Sequence, residues 1–250
     1  MAAYDFTAPR LFVEADLVEG RVLPLERAQA NYLLTVLRRA EGEPVLLFNG
    51  RDGEWRAEIV PQGRKSADLR VVAQTRPQPV PPDLHYLFAP LKTGRLDYMA
   101  QKAVEMGAGR LQPVFTRFTQ GERIKLDRLQ ANTIEAAEQC GILAVPEIGE
   151  PARLPACLDA LEADRLLVFC DEDAAVRDPV AALRGAADPD RLPPLAVLVG
   201  PEGGFHEEER ALIAARPNTV ALSLGPRILR ADTAAVAVLA LVQAVLGDGR

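Results

Sequence analysis

Apolar side chains fall into two kinds of pattern along this chain, and the pattern changes near residue 80. In the first part, Arg10–Glu14, Val45–Phe48, Trp55–Val60 and Leu69–Ala73 are short apolar or alternating runs, the signature of strands. Turn pairs Asn49-Gly50 and Asp52-Gly53 separate two of them. Ala30, Leu33, Leu34 and Leu37 recur at helical spacing and predict a helix over residues 25–38. Several strands with glycine turns and one helix predict a small β-barrel-like domain over residues 1–75. Arg76-Pro-Gln-Pro-Val-Pro-Pro82 holds four prolines in seven residues, which suits a stiff spacer and places a linker at 76–83.

From residue 84 the strands alternate with helices. His85–Ala89, Leu111–Phe115, Leu166–Cys170, Leu195–Val199 and Val220–Leu224 read as strands. Helices are expected at Arg95–Met106 (closed by Gly107), Asp127–Cys140 (closed by Gly141), Glu207–Ala215 and Asp232–Leu246. The acidic, alanine-rich stretch 171–190 is expected to be helix and loop. Short continuous apolar strands between helices predict an α/β domain over 84–250, with a mostly parallel sheet covered on both faces.

Composition narrows the function classes. Cys140, Cys157 and Cys170 are an odd number without Cys-x-x-Cys spacing, and His85 and His206 are the only histidines. Neither a disulfide framework nor a metal site is expected, and a cytoplasmic setting fits. The start Met-Ala-Ala-Tyr-Asp-Phe has no basic or apolar leader segment. The apolar run 231–246 is broken by Asp232 and Gln243 and is short for a membrane span. It reads as a helix buried in a core or an interface.

The net charge is −6, but its distribution is uneven: residues 92–128 hold eight basic and four acidic side chains, and residues 129–199 five and thirteen. A locally positive face permits RNA binding by an acidic protein. An ordinary mixed-charge surface would read the same way.

Two strands run straight into glycine-proline loops: Leu195–Val199 into Gly200-Pro-Glu-Gly-Gly204, and Val220–Leu224 into Gly225-Pro-Arg-Ile-Leu-Arg230. A third strand, Leu166–Cys170, runs into Asp171-Glu-Asp173. Ligands of open α/β sheets sit at such carboxyl ends. Neither a Walker-type lysine loop nor Gly-x-Gly-x-x-Gly is present, so a triphosphate or dinucleotide ligand loses its main support. A ligand with an adenosine part and no phosphate suits loops lined by backbone.

Gly200-Pro-Glu-Gly-Gly-Phe205 together with Leu224-Gly-Pro-Arg-Ile-Leu-Arg-Ala-Asp-Thr-Ala-Ala235 resembles the bacterial 16S rRNA uridine-N3 methyltransferases, within the knotted SPOUT superfamily. Asp97–Gly107, Glu135–Gly141, Leu34–Arg38 and Gly42–Gly50 resemble other segments of that family, so the likeness covers almost the whole chain. Asn31-Tyr32, Ile142 and Ala231 depart from its usual pattern.

The resemblance implies a deep trefoil knot in the C-terminal domain and a PUA-like N-terminal domain. S-adenosyl-L-methionine (SAM) is implied as methyl donor with no metal, a homodimer as the assembly, and small-subunit ribosomal RNA or the 30S particle as substrate. The implied cofactor residues are Leu198, Gly200, Gly203, Leu222, Leu224, Gly225, Ile228, Leu229, Thr233 and Ala234. Arg230 would stabilise charge on uracil or position it; its alternative is a structural salt bridge. Glu202 would contact cofactor or base, or simply order its loop. Asp232 is a catalytic group or a helix cap, and Thr233 shares the capping alternative. Arg10, Arg38, Arg39, Lys92, Arg95 and Lys102 are candidate RNA contacts or solvated surface charges. A catalytically inactive RNA-binding factor, or methylation of another RNA position, are the competing functions.

Overall fold

The computed structural model describes residues 5, 7–63, 66–120, 123–175, 178–188 and 193–247. They form two compact units, Met1–Val80 with Ala137–Val145, and Pro81–Ala136 with Pro146–Arg250.

The first unit is built on a five-stranded sheet. Its elements are β1 (Arg10–Phe12), β2 (Val22–Pro24), α1 (Arg27–Asn31), β3 (Pro44–Phe48), β4 (Glu54–Pro61) and β5 (Ala67–Arg76), in the sheet order β1-β3-β4-β5-β2. β1 pairs with β3 in parallel and the other pairs are antiparallel. Two register shifts between β4 and β5 add the local twist that curls a sheet. The helix expected over 25–38 is α-helical only to Asn31 and continues as a π-helical turn over Tyr32–Val36. Leu33, Val45, Leu47, Ile59, Leu69 and Val71 fill the core between sheet and helix.

The β3–β4 connection is ordered by Asn49. Its side chain is buried, accepts from the N–H groups of Arg51 and Asp52, and donates to the Ala15 carbonyl. Gly53, at φ +79°, presses against the Arg76 backbone where a Cβ would collide. Arg76 therefore belongs to the last strand and not to the spacer expected to begin there. β2, which has only three residues and no readable periodicity, was not anticipated from sequence.

Beside this turn lies a buried ion cluster. Glu54, 3% exposed, accepts from Arg10 Nε at 2.7 Å, from Arg76 Nε at 2.9 Å and Nη2 at 2.7 Å, and from the Thr75 hydroxyl. Burial alone would raise the Glu54 carboxyl, but the hydrogen bonds from Arg76, Arg10 and Thr75 outweigh it and hold it below the usual carboxylate range. Arg76 also donates to the Gly141 carbonyl, and Glu138 accepts from the Phe12 N–H at 2.8 Å. These bonds tie the segment Ala137–Val145 into the unit.

The second unit is a purely parallel sheet. Its elements are β6 (Leu84–Phe88), α2 (Thr93–Glu105), β7 (Arg110–Phe115), α3 (Leu126–Cys140), β8 (Glu147–Ile148), β9 (Ala152–Arg153), α4 (Leu154–Asp159), β10 (Leu166–Cys170), α5 (Pro179–Ala186), β11 (Leu195–Val199), α6 (Glu207–Ala215), β12 (Thr219–Leu222) and α7 (Ala231–Leu246). The order is β12-β10-β11-β6-β7-β8, with β9 also on β7, and every pair is parallel. β8, β9 and α4 are too short to show periodicity and were not expected.

Both faces are covered, which is why β11 is buried at all five positions. On one face α4 and α6 cover Leu87, Leu167, Phe169, Ala196 and Leu198. On the other, α7 packs on α2, α5 and β11. Gln243 of α7 donates to the Met106 carbonyl at 2.8 Å beside Gly107, whose φ of +79° ends α2. At the amino ends of the strands, the nearly buried Arg165 pairs with Glu162 and Asp83 at 2.7 Å each and donates to the Leu195 carbonyl. Among the described residues no helix is long and apolar enough to cross a membrane.

The Glu54 cluster makes a prediction. Glu54→Ala removes the buried carboxylate that pairs with both Arg10 and Arg76 and should lower the stability of the first unit by about 3–5 kcal/mol in urea denaturation. Because the folded pKa is depressed, the wild-type contribution is present above the ordinary carboxylate value near ~4.3 and is lost as pH falls through the lower folded value. A variant that unfolds at the wild-type urea concentration contradicts this.

Candidate functional site

β12, β10 and β11 are neighbours in the sheet, so the loops after their carboxyl ends converge. Between these loops lies a cavity of about 660 Å³ including its open mouth. Cys170, Asp171 and Glu172 line it from β10, Val199–Glu202 and Gly204–Phe205 from β11, and Leu222–Gly225 and Arg227–Leu229 from β12. Ala231 and Ala234 of α7 close it with small side chains.

The β11 loop is shaped by its glycines. A Cβ on Gly200 would overlap the Phe205 ring. Phe205 is buried and meets Phe169 edge-on at 5.0 Å, so the ring has nowhere to go. Gly204, at φ +69°, closes a turn in which its N–H donates to the Pro201 carbonyl at 2.9 Å. His206 then starts α6: its ring accepts from the Glu208 N–H, and Glu209 accepts from the His206 N–H at 3.0 Å. It is a helix cap, in keeping with a helix-start role.

The β12 loop is different in kind. The backbone N–H groups of residues 224–229 make no hydrogen bond to any described residue, and the Gly225 carbonyl alone accepts one, from the Ser223 hydroxyl. Gly225 sits at φ +104°, a region open to glycine. Ile228, at 95% exposed, projects its side chain from the same loop. Leaving out Pro226, which has no N–H, five residues thus offer backbone N–H groups without a described partner along one wall of a cavity, where most buried peptide groups elsewhere are paired.

Arg210 of α6 holds the remaining wall. It pairs with Asp171 at 3.1 Å, Glu172 at 3.5 Å and Asp173, and donates to the Phe205 carbonyl. Its charge is therefore committed to the β10 loop. Burial pushes the Cys170 thiol up to about 12, with Asp171 adding to the shift, so Cys170 is not a thiolate nucleophile at neutral pH. Among the described residues no group of three His, Cys, Asp or Glu side chains converges as metal ligands would.

A second recess of about 600 Å³ lies across the β11 loop. It shares Pro201 and Glu202 with the first cavity and is lined besides by Lys92, Arg95, Phe118, Gln120 and Gly203. Arg95 and Glu202 form an ion pair at its edge.

Of the residues singled out from sequence, Gly200, Glu202, Leu222, Leu224, Gly225, Ile228, Leu229 and Ala234 line the first cavity. Leu198 lies behind it, buried in β11, and Gly203 faces the second recess. Arg230, Asp232 and Thr233 are at the start of α7 and off the cavity lining. Arg230 is exposed, and among the described residues its guanidinium makes no ion pair. Asp232 is not the cap of α7; that position is Arg230, and the Asp232 carboxylate accepts only from the Thr233 N–H.

The basic candidates separate. Arg10 is buried on Glu54, and Lys102 is held by Glu105 at 2.7 Å. Arg39 donates to the Thr7 carbonyl, whereas Arg38 is exposed at φ +54°. Lys92 and Arg95 meet at the second recess. Arg210 and Phe118 were missed from sequence. One is an ordinary helix arginine and the other a lone aromatic, and only the fold brings them to the loops.

A parallel α/β sheet with a backbone-lined cavity at three adjacent strand ends defines a ligand-binding enzyme fold of the cofactor-dependent kind. The chain matches the RNA methyltransferase domain family over residues 77–243 and the RNA methyltransferase PUA domain family over residues 25–72. The chain belongs to this RNA methyltransferase family. It is similar to the ribosomal RNA small subunit methyltransferases E of Rickettsia conorii (29% identity, 94% of both chains covered) and Synechocystis (30%, covering 96% of this chain and 78% of that one). Among solved structures, the Neisseria gonorrhoeae ribosomal RNA small subunit methyltransferase E bound to S-adenosyl methionine superposes with a TM-score of 0.83 at 26% identity, covering 97% and 100% of the two chains. A methyltransferase from Legionella pneumophila in complex with SAM gives 0.80 at 28%, covering 95% and 97%.

Gly200→Ala should force Phe205 out of its packed place. It is expected to cost roughly 1–3 kcal/mol, read as a lower thermal midpoint of the purified protein. An unchanged midpoint would show that the ring can shift freely.

Proposed function

We propose that this protein transfers the methyl group of SAM to N3 of a uridine in small-subunit ribosomal RNA. The observation that carries the reading is the run of unpaired peptide groups at 224–229 beside a glycine-opened cavity. The donor set fits SAM: an adenine edge needs a backbone donor and acceptor, and a ribose diol needs acceptors such as the Asp171 and Glu172 carboxylates. Arg210, spent on three carboxylates, leaves little for a phosphate. Leu222, Leu224, Ile228, Leu229 and Ala234 supply apolar walls, with Gly200 and Gly225 giving close backbone approach and Leu198 and Gly203 supporting from behind. Thr233, at the start of α7, completes the proposed cofactor set.

SAM supplies an electrophilic methyl on a sulfonium. This chain must align uracil with it and manage the N3 proton, which uracil holds at neutral pH. Arg230, without an ion pair to a described residue, offsets the negative charge that develops on the ring. Glu202, at the boundary of the two recesses, is the proposed acceptor of the N3 proton, and Asp232 the second carboxylate near Arg230. Arg38, Arg39, Lys92, Arg95 and Lys102 are the proposed contacts to RNA phosphates; Arg10, committed to Glu54, serves its own unit.

The same reading implies a cytoplasmic homodimer acting on the RNA or the 30S particle. The exposed side of α7, with the small residues Ala240 and Ala244, is the proposed dimer face. The trefoil threading of the C-terminal segment belongs to the same reading.

The test is methyl transfer from labelled SAM to small-subunit RNA and particles from cells lacking the enzyme, followed by nucleoside digestion. Label on N3-methyluridine is expected; label on ribose, or none, contradicts the reading. Arg230→Ala should lower turnover about 100-fold or more, while SAM affinity by calorimetry stays near wild type.

A further inference from the structure

Phe118 is placed as a packing argument would not place it. It is 43% exposed, and the turn that carries it is braced. The Thr116 N–H donates to the Thr119 hydroxyl at 2.9 Å, and the Thr119 N–H returns to the Thr116 carbonyl at 3.2 Å. The Arg117 N–H donates to Glu209 at 2.8 Å, and the Arg117 guanidinium turns towards His206 and Glu208. A stiff turn thus presents an aromatic ring to solvent at the rim of the second recess.

The floor beneath the ring is glycine. A Cβ on Gly203 would lie 3.4 Å from the Phe118 Cβ, in ordinary contact, so a longer side chain there would take up space in the recess. Among the described residues, the polar side chains that line the recess besides Glu202 are Lys92, Arg95 and Gln120. All three can donate hydrogen bonds. The recess also touches Glu202 and Gly203, which line the open cleft along Ser223–Ile228.

We propose that this recess receives the acceptor nucleotide, unstacked from the RNA, with its base against Phe118. The inference rests on the methyltransferase reading and adds to it the place and chemical class of the acceptor. RNA bases are recognised out of the helix by stacking on aromatic side chains, and a base that undergoes chemistry must leave the stack. A donor-rich lining selects among pyrimidines: uracil offers O2 and O4 as acceptors, whereas cytosine replaces O4 with an amine donor. Lys92, at the start of α2, is placed for the flanking phosphate. Pro201 and Glu202 line both the recess and the first cavity, so a base in the recess lies against the loop that also bounds the cofactor.

The experiment uses the full-length protein as wild type, Phe118→Ala and Phe118→Trp, with substrate RNA. Three quantities are read: SAM affinity by calorimetry, RNA affinity by fluorescence anisotropy, and kcat and KM for methyl transfer. Phe118→Ala should keep its thermal midpoint and its SAM affinity. It should lose about tenfold or more in kcat/KM, the scale of one lost base stack, and Phe118→Trp should restore most of it. Wild-type kcat/KM in Phe118→Ala overturns the assignment of the recess and leaves the methyltransferase reading standing. A wild-type protein that binds SAM and RNA but transfers no methyl overturns the methyltransferase reading instead. In that case equal RNA affinity of wild type and Phe118→Ala overturns the recess as well.

Discussion

Among the described residues the backbone N–H groups of residues 224–229 find no hydrogen-bond acceptor, and most of the site's design follows from that. A loop can leave its backbone unpaired only where water or a ligand completes it. Its position is fixed by the sheet. β12 lies at the edge beside β10, so its exit loop lines one cavity with the exits of β10 and β11. The parallel sheet must be covered on both faces to exist, and α7, which follows the loop directly, is one of the covers. The loop is therefore held at both ends by the core while its middle stays free.

The surrounding residues keep that wall open. Glycine at 200 lets Phe205 lock the opposite loop, and Gly225 takes a backbone conformation that other residues resist. Arg210 gathers Asp171, Glu172 and Asp173 into one wall and offsets part of their charge. An overall charge of −6 is then compatible with RNA binding, because the acidic residues near the cavity are paired and the cations near Phe118 are grouped on the other side of the Gly200–Gly204 loop.

What the sequence revealed depended on length and periodicity. β10 and β11, five-residue apolar runs buried at every position but Cys170, matched their expected bounds, and so did α6. β2, β8, β9 and the six-residue α4 were invisible because elements that short show no period. The N-terminal helix was legible as a helix, but its change to π-helical spacing at Tyr32 was not. Roles were harder to read than elements. Arg10 looks like any surface arginine until Glu54, 44 residues away, is seen to bury it. Arg210 and Phe118 carry no motif, and their importance comes from strand order alone. The glycine-proline loops were legible because close backbone approach demands glycine whatever the ligand.

Backbone hydrogen exchange at residues 224–229, with and without SAM, tests the central claim most directly. Without SAM the amides of Leu224, Gly225, Arg227, Ile228 and Leu229 should exchange rapidly, since none is bonded to a described residue. Saturating SAM should protect several of them while the strand amides of β10 and β11 change little. SAM that binds, yet leaves all five exchanging at their free rate, would contradict the account.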